Sequence, residues 1–263
     1  MSLVPKRDLT PKELEAILKE LSRPLPPASI GGAGEFWIEG LADCYRIAGV
    51  QYGVGAYDLS NALLDSKTQD AHAKHALDAT PVDFRASSAP LVYAICKALY
   101  ENKDDAKHKV VVENARQFLR NSFAENWLFT LSRAAYNPGT LDSVIHDYNL
   151  LTQNSEDLNL VGPNGVITDS KSQAEAYAQR LLGTKDSATQ INTVLEWVSG
   201  KKAYVWRLNE KPSNRDERVV ALGIISKYDW FVLYAYGSID VNGPALGVRP
   251  SAPKFSPPNG GSI

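Results

Sequence analysis

VVALGIISKYDWFVLYAYGSIDVNGPALGVRP, residues Val219–Pro250, is rich in β-branched and aromatic residues and punctuated by Gly, Asn and Asp, the composition of short strands joined by turns. Side chains alternate along an extended chain, so Phe231, Leu233, Ala235, Gly237 and Ile239 share one face of Trp230–Asp240. Trp230, Val232, Tyr234, Tyr236, Ser238 and Asp240 share the other. The first set is a core. The second mixes rigid aromatic rings with small polar groups, as antibody paratopes do. The pattern predicts a ligand-binding surface made by Ser226, Tyr228, Asp229, Trp230, Val232, Tyr234, Tyr236, Ser238, Asp240 and Asn242. The alternative is an amphipathic strand whose Tyr rings cover a second layer of the same domain.

Upstream of this stretch, Ala203–Leu208 and Arg218–Ile225 read as strands, with Lys211-Pro212-Ser213-Asn214 as a turn. With Trp230–Tyr236 and Ala245–Arg249 they make four short segments, expected to lie side by side in one mainly antiparallel sheet. The period before them is helical. Ser187-x-x-Gln190 to Gly200 and Ser170-x-x-Gln173 to Gly183 each carry a capping box and a terminal glycine. Helices are also expected from Ser88-Ala-Pro90 through Tyr100, from Asp104 or Asp105 through Arg120, and over Leu141, Val144, Ile145 and Tyr148. Trp127–Ala135 reads as a strand, residues 152–164 as a polar loop, and Phe36–Ala56 as irregular with one or two strands. Near the start, Thr10-Pro11-Lys12-Glu13 opens an amphipathic helix with Leu14, Ile17, Leu18 and Leu21 on one stripe, ended by Pro24, Pro26 and Pro27.

A chain of 263 residues with 44% apolar and 22% charged residues buries a sizeable core. Its net charge of -2 argues against nucleic acid as a partner, because phosphate binding needs a basic patch. No run reaches the eighteen or so apolar residues of a membrane span, and MSLVPKRDLTPKELE turns charged where a signal peptide needs its apolar segment. Membrane insertion is therefore not expected. Synthesis in the cytosol is, with display at a surface requiring a carrier. Cys44 and Cys96 lack CxxC spacing and read as buried thiols.

Enzyme signatures are sparse. His72 and His75 in DAHAKHALD share a helical face and could hold a metal with Asp70 or Asp78, but a solvated polar helix accounts for them better. Gly53-Val54-Gly55 lacks the third glycine of a dinucleotide loop, and His108 and His146 have no nucleophile elbow nearby. Neither a metal nor another cofactor is expected.

Four segments together carry a family resemblance: Tyr204-Val205-Trp206-Arg207-Leu208, Arg218-Val219-Val220-Ala221-Leu222-Gly223, the Tyr, Asp, Ser and Asn-rich stretch after them, and Pro244-Ala245-Leu246-Gly247-Val248-Arg249-Pro250. This arrangement resembles the C-terminus of the variable proteins of diversity-generating retroelements, with the helix-rich remainder most similar to archaeal members. The resemblance implies an α+β, C-type-lectin-like fold with helices packed on a mainly antiparallel C-terminal sheet, a diversified ligand-binding surface on its last strands, and a closing Gly-x-Arg, matched by Gly247-Val248-Arg249. Diversification at template adenines turns Asn codons into Tyr, Asp, Ser, Ile, Val, Phe or Gly but never Lys, Glu, Gln, Met or Trp. Between Gly223 and Gly243 only Lys227 and Trp230 belong to the excluded set.

The Glu-Pro-Asn and Trp-Asn-Asp motifs of calcium-dependent lectins are missing, and both cysteines lie far before the positions that the formylglycine-generating branch of the fold would use. The organisation implied is a helix and proline-rich linker over 1–28, a ligand-binding domain over 29–250 and a flexible tail over 251–263. Its function would be non-catalytic binding, with a protein surface as ligand. The competing expectations are a small-molecule enzyme with its site between the helical half and the sheet, and an assembly protein docking through Leu14, Ile17, Leu18 and Leu21.

Overall fold

The computed structural model describes residues 35–150 and 154–251. The expected N-terminal helix with its prolines, and the tail beyond Ser251, lie outside the described residues. In chain order the elements are β1 (Trp37–Gly40), β2 (Cys44–Ala48), β3 (Ala56–Lys67), α1 (Gln69–Asp78), β4 (Arg85–Ala86), α2 (Ala89–Glu101), α3 (Lys109–Glu125), β5 (Leu128–Tyr136) and β6 (Asp142–His146). They continue with β7 (Asn154–Leu158), β8 (Gly165–Val166), α4 (Glu175–Leu181), α5 (Ala188–Ser199), β9 (Lys202–Trp206), β10 (Asp216–Ile225), β11 (Trp230–Ser238) and β12 (Gly243–Pro250).

All twelve strands join one open sheet whose main path is β1-β2-β3-β12-β5-β10-β11-β9-β8; β4 pairs with β12, and β6 links β5 to β7. Pairing is antiparallel except at β12–β5 and β11–β9. The fold is thus mixed α and β, with five helices among the described residues and a mostly antiparallel sheet. The inward face of β11 is the one its alternation marks: Phe231, Leu233 and Ala235 join a single core with residues of α2, α3 and α5. Ile239, expected on that face, lies past the end of the strand and packs with Tyr234 on the other. Phe123 of α3 meets Phe231 edge-on at 5.0 Å.

The expected side-by-side arrangement holds for β9, β11 and β10 but not for β12, which β5 separates from them. The pairing of β9 with β11 is parallel, not antiparallel. Arg249, the arginine of Gly-x-Arg, fixes β12 in place. Its Nε donates to Asp58 of β3 at 3.0 Å, its Nη1 to the Val82 carbonyl at 2.7 Å, and its guanidinium lies 4.2 Å from the Phe84 ring centroid. Arg46 completes the clamp on Asp58 from β2. Burial pushes the Asp58 carboxyl up, but the hydrogen bonds from Arg46 and Arg249 outweigh it and hold its pKa below the usual value. Gly247 is required by close approach: a side chain there would come within 3.2 Å of Leu64, Phe84 and Ser60.

Three other expectations are corrected. Residues 142–146 form β6, not a helix, because they pair with β5 through Arg133↔Ile145, Ala134↔Val144 and Ala135↔Ser143. The polar loop over 152–164 contains β7, the partner of β6. The helix expected from Ser170 begins only at Glu175. Asp169 caps a short 3-10 turn at Ser170–Ser172, and Gln173 then takes a left-handed conformation, φ 47°, that breaks the path. By contrast, α5 shows the expected capping box, with the Ser187 and Gln190 side chains reciprocally bonded and Gly200 left-handed at its end. Cys44 and Cys96 are free and buried.

α1 is not the solvated polar helix expected. It packs on the sheet face opposite α2, α3 and α5, with Ala73 and Ala76 in a cluster with Ala86, Leu131 and Ala245. His72 is buried there and donates from Nε2 to the Gly243 carbonyl at 2.9 Å. Burial lowers its pKa.

Candidate functional site

α1 covers only the β3, β12 and β5 part of that outer face. Over β10 and β11 the small apolar cluster of Phe129, Val219, Ala221, Tyr234 and Ile239 contains no helical residue. What stands there instead is a group of aromatic rings. On β11, Trp230 stacks on Tyr204 of β9, centroids 3.9 Å apart and planes 5° from parallel, and also on Tyr228 at 5.4 Å. Further along, Tyr234 is the hub of a second group, with Trp127 at 4.9 Å, Trp206 of β9 at 5.9 Å and Tyr236 at 6.1 Å. The parallel register Tyr234↔Trp206 brings β9 into this group. Gly223 of β10 makes room for the Trp127 ring, since a side chain at 223 would meet Cε3 of that ring at 3.1 Å. Tyr228, Tyr236, Trp127 and Trp206 are 48%, 40%, 37% and 36% exposed.

Cations border the rings. The Arg218 guanidinium lies 4.9 Å from the Tyr236 centroid while pairing with Asp216, and Lys227 lies 5.3 Å from that of Tyr228. Beside Arg218, a depression of about 530 Å³ is lined by Arg215, Asp216, Glu217, Arg218, Ser238, Ile239 and Asp240. Its arginines are already engaged, Arg215 by Glu217 and Arg218 by Asp216. Burial raises the phenol pKa of Tyr204 and of Tyr234, so both keep their proton at neutral pH.

Of the ten residues expected to make the surface, Tyr228 and Trp230 fall in the first ring group and Tyr234 and Tyr236 in the second. Ser226, Tyr228 and Asp229 are exposed in the 3-10 turn between β10 and β11, where Asp229 takes φ 60° and pairs with Lys201. Ser238 is half-buried, its Oγ accepting from the Asp240 amide at 3.3 Å, and Asp240 and Asn242 are exposed in the following turn. Val232 is a correction. It lies on the outer face as the alternation requires, in register with Gly223 and Tyr204, yet it is fully buried. The alternation assigns a face, not an exposure, and bulky rings beside a small aliphatic residue take its solvent.

Trp127, Tyr204 and Trp206 belong to the surface and were not expected there. The signal for the last two is the alternation within β9, Ala203 and Val205 inward and Tyr204 and Trp206 outward. Trp127 reaches the site through the chain's tertiary path, and no local pattern marks it.

The arrangement offers contact area and hydrogen-bond donors, without a converging set of nucleophile, acid and base. A serine–histidine contact does exist elsewhere, Ser132 Oγ to His146 Nδ1 at 2.9 Å. His146 Nε2 donates to the Arg180 carbonyl, and Ser132 Oγ accepts the Ala89 amide as the cap of α2. Both side chains are buried, and each of these bonds holds structure together. Comparison with family models, with curated proteins and with solved structures finds no match to this chain.

Proposed function

We propose that this protein is a non-catalytic binding scaffold: a C-type-lectin-like fold of the kind carried by retroelement variable proteins, presenting its outer β10–β11–β9 face to a protein ligand. The observation that carries this reading is the array of aromatic rings on a sheet face that no described helix covers, set on strands whose other face is core. Monomeric proteins seldom expose such contiguous rings without a binding role, and Tyr and Trp are the residues that dominate binding hot spots. Because the inward side chains hold the register, the outward ones are open to exchange. Arg249 and Gly247 act in this reading as the fixed frame behind the variable positions.

The test is a library randomising Tyr228, Asp229, Tyr234, Tyr236, Asp240 and Asn242. Most members should fold, and selection should recover binders to unrelated proteins. A library that mostly unfolds would remove the reading. The neighbouring DNA offers a second check: a reverse transcriptase and a near-repeat of the 3′ coding end that differs at adenines are the expected companions.

A further inference from the structure

The ring face carries polar tips with no partner among the described residues. Its indole N–H groups, on Trp127, Trp206 and Trp230, and its phenols, on Tyr204, Tyr228, Tyr234 and Tyr236, make no hydrogen bond within the described residues, and none is a buried unpaired atom. An indole N–H donates only, and a phenol donates readily. The face is therefore a dense set of solvated donors on an apolar floor. Its strands cannot offer backbone in addition: β10 lies between β5 and β11, and β11 between β10 and β9, so no strand edge is open at the centre of the array.

We propose that this face takes a proline-rich segment in the polyproline II conformation; the inference rests on the binding reading above and names its ligand class. The complement of a donor-rich aromatic face is a chain with free acceptors, few donors of its own and flat apolar side chains. Polyproline II meets all three conditions. Its carbonyls have no internal partner, its prolines have no N–H, and its pyrrolidine rings pack into aromatic-lined grooves. The lengths agree. Trp230 and Tyr234 are four strand residues apart, about 13 Å at about 3.3 Å per residue, and a polyproline II chain covers that span in about four residues. Such a chain crosses both ring groups. Asp240, exposed at the Tyr236 end with no ion-pair partner among the described residues, suits a basic residue flanking the prolines. The sequence itself holds two proline-rich stretches outside the described residues, Arg23-Pro24-Leu25-Pro26-Pro27 and Pro253-Lys254-Phe255-Ser256-Pro257-Pro258, and the first supplies the probe sequence.

The protein has five tryptophans, and their indole N–H signals can be assigned by single Trp→Phe substitutions. The receptor is the full chain with Pro24, Pro26, Pro27, Pro253, Pro257 and Pro258 each replaced by Ala, so that its own proline-rich stretches do not compete. A synthetic peptide spanning residues 20–30, and separately decaproline, should move the signals of Trp127, Trp206 and Trp230 saturably and leave those of Trp37 and Trp197 in place. Replacing the three prolines of the peptide by alanine should weaken binding at least tenfold, as should Trp230→Ala in the protein. Absent shifts, equal binding of the alanine peptide, or movement of the same signals by a gluco-oligosaccharide instead of the prolines would each overturn the proposal. If the titration fails while the randomised library still yields binders, the proline-rich class falls and the binding reading stands; a library that unfolds removes the binding reading itself.

Discussion

The outer face of the sheet has two halves of opposite character. Beneath α1, Arg133 is nearly sealed from solvent, yet its Nε donates to Gln69 at 2.7 Å, its Nη1 to Glu217 at 3.0 Å and its Nη2 to Asp70 at 2.5 Å, while Tyr148 covers its guanidinium at 3.4 Å. Gln69 passes the network on to the carbonyls of Thr130 and Ser132. Over β10 and β11 the rings have contacts, but their polar tips have no partner among the described residues. One half has its polar groups paired internally, and the other carries ring donors without such a partner. The lesson is that a sheet face is finished either by its own chain or by something else, and unpaired donors mark which half is which.

The comparison sets an order of expected effects. Phe231→Ala, on the core side of β11, should cost about 3–5 kcal/mol in chemical denaturation. If Phe231 costs no more than its outward neighbours, the division into core face and ring face is broken. Arg133→Met should cost about 3 kcal/mol, since it strands the buried Gln69 carbonyl oxygen and breaks two ion pairs. Adding Gln69→Leu should recover part of the loss, and purely additive losses would show that the network does not act as a unit. Val232→Ala should cost about 1.5–3 kcal/mol, as for a fully buried valine, whereas Tyr236→Ser should stay within about 0.5 kcal/mol. Equal costs at 232 and 236 would erase the distinction between a buried floor and an exposed ring.

The α1 half carries a pH dependence through His72. Burial depresses the His72 pKa in the fold, and Lys67 and His75 lower it further, while the bond to the Gly243 carbonyl opposes them. The unfolded chain then binds the proton first as pH falls, so the stability linked to neutral His72 is full above about pH 6.5 and drains below it. Melting temperatures between pH 7.5 and 5.5 should fall more for the parent than for His72→Gln. Parallel slopes would show that His72 titrates as if exposed.

Much of the β10–β11 architecture is legible in sequence because its inward positions are plainly apolar. β6 is not, and the reason is specific. Its inward residues are Asp142, Val144 and His146, so two of three core-facing positions are polar and the alternation disappears. They are tolerated because Asp142 accepts the amides of Asn137 and Leu160, and His146 bridges Ser132 and Arg180. The leftover apolar residues then imitate a helical stripe. The ring face was half legible for a similar reason: Trp230, Tyr234 and Tyr236 announce themselves along one strand, while Trp127, Tyr204 and Trp206 arrive from distant segments through parallel pairing and a vacancy at Gly223 that local pattern does not encode.

The position of β12 also bears on how the molecule is made. It is the last of the described strands to leave the ribosome, yet it lies in the interior of the sheet, paired along β3 on one side and touching β5 on the other. Until Gly243–Pro250 has been translated, the β1–β3 and β5–β11 portions are separate pieces with raw edges exposed to pairing with other chains. A nascent chain stalled within Trp230–Ser238 would already carry part of the ring array, but without the strand that joins the two pieces. Completion of the sheet is thereby tied to translation of Gly243–Pro250, and fragments that stop short of it are the ones chaperones and proteases should meet.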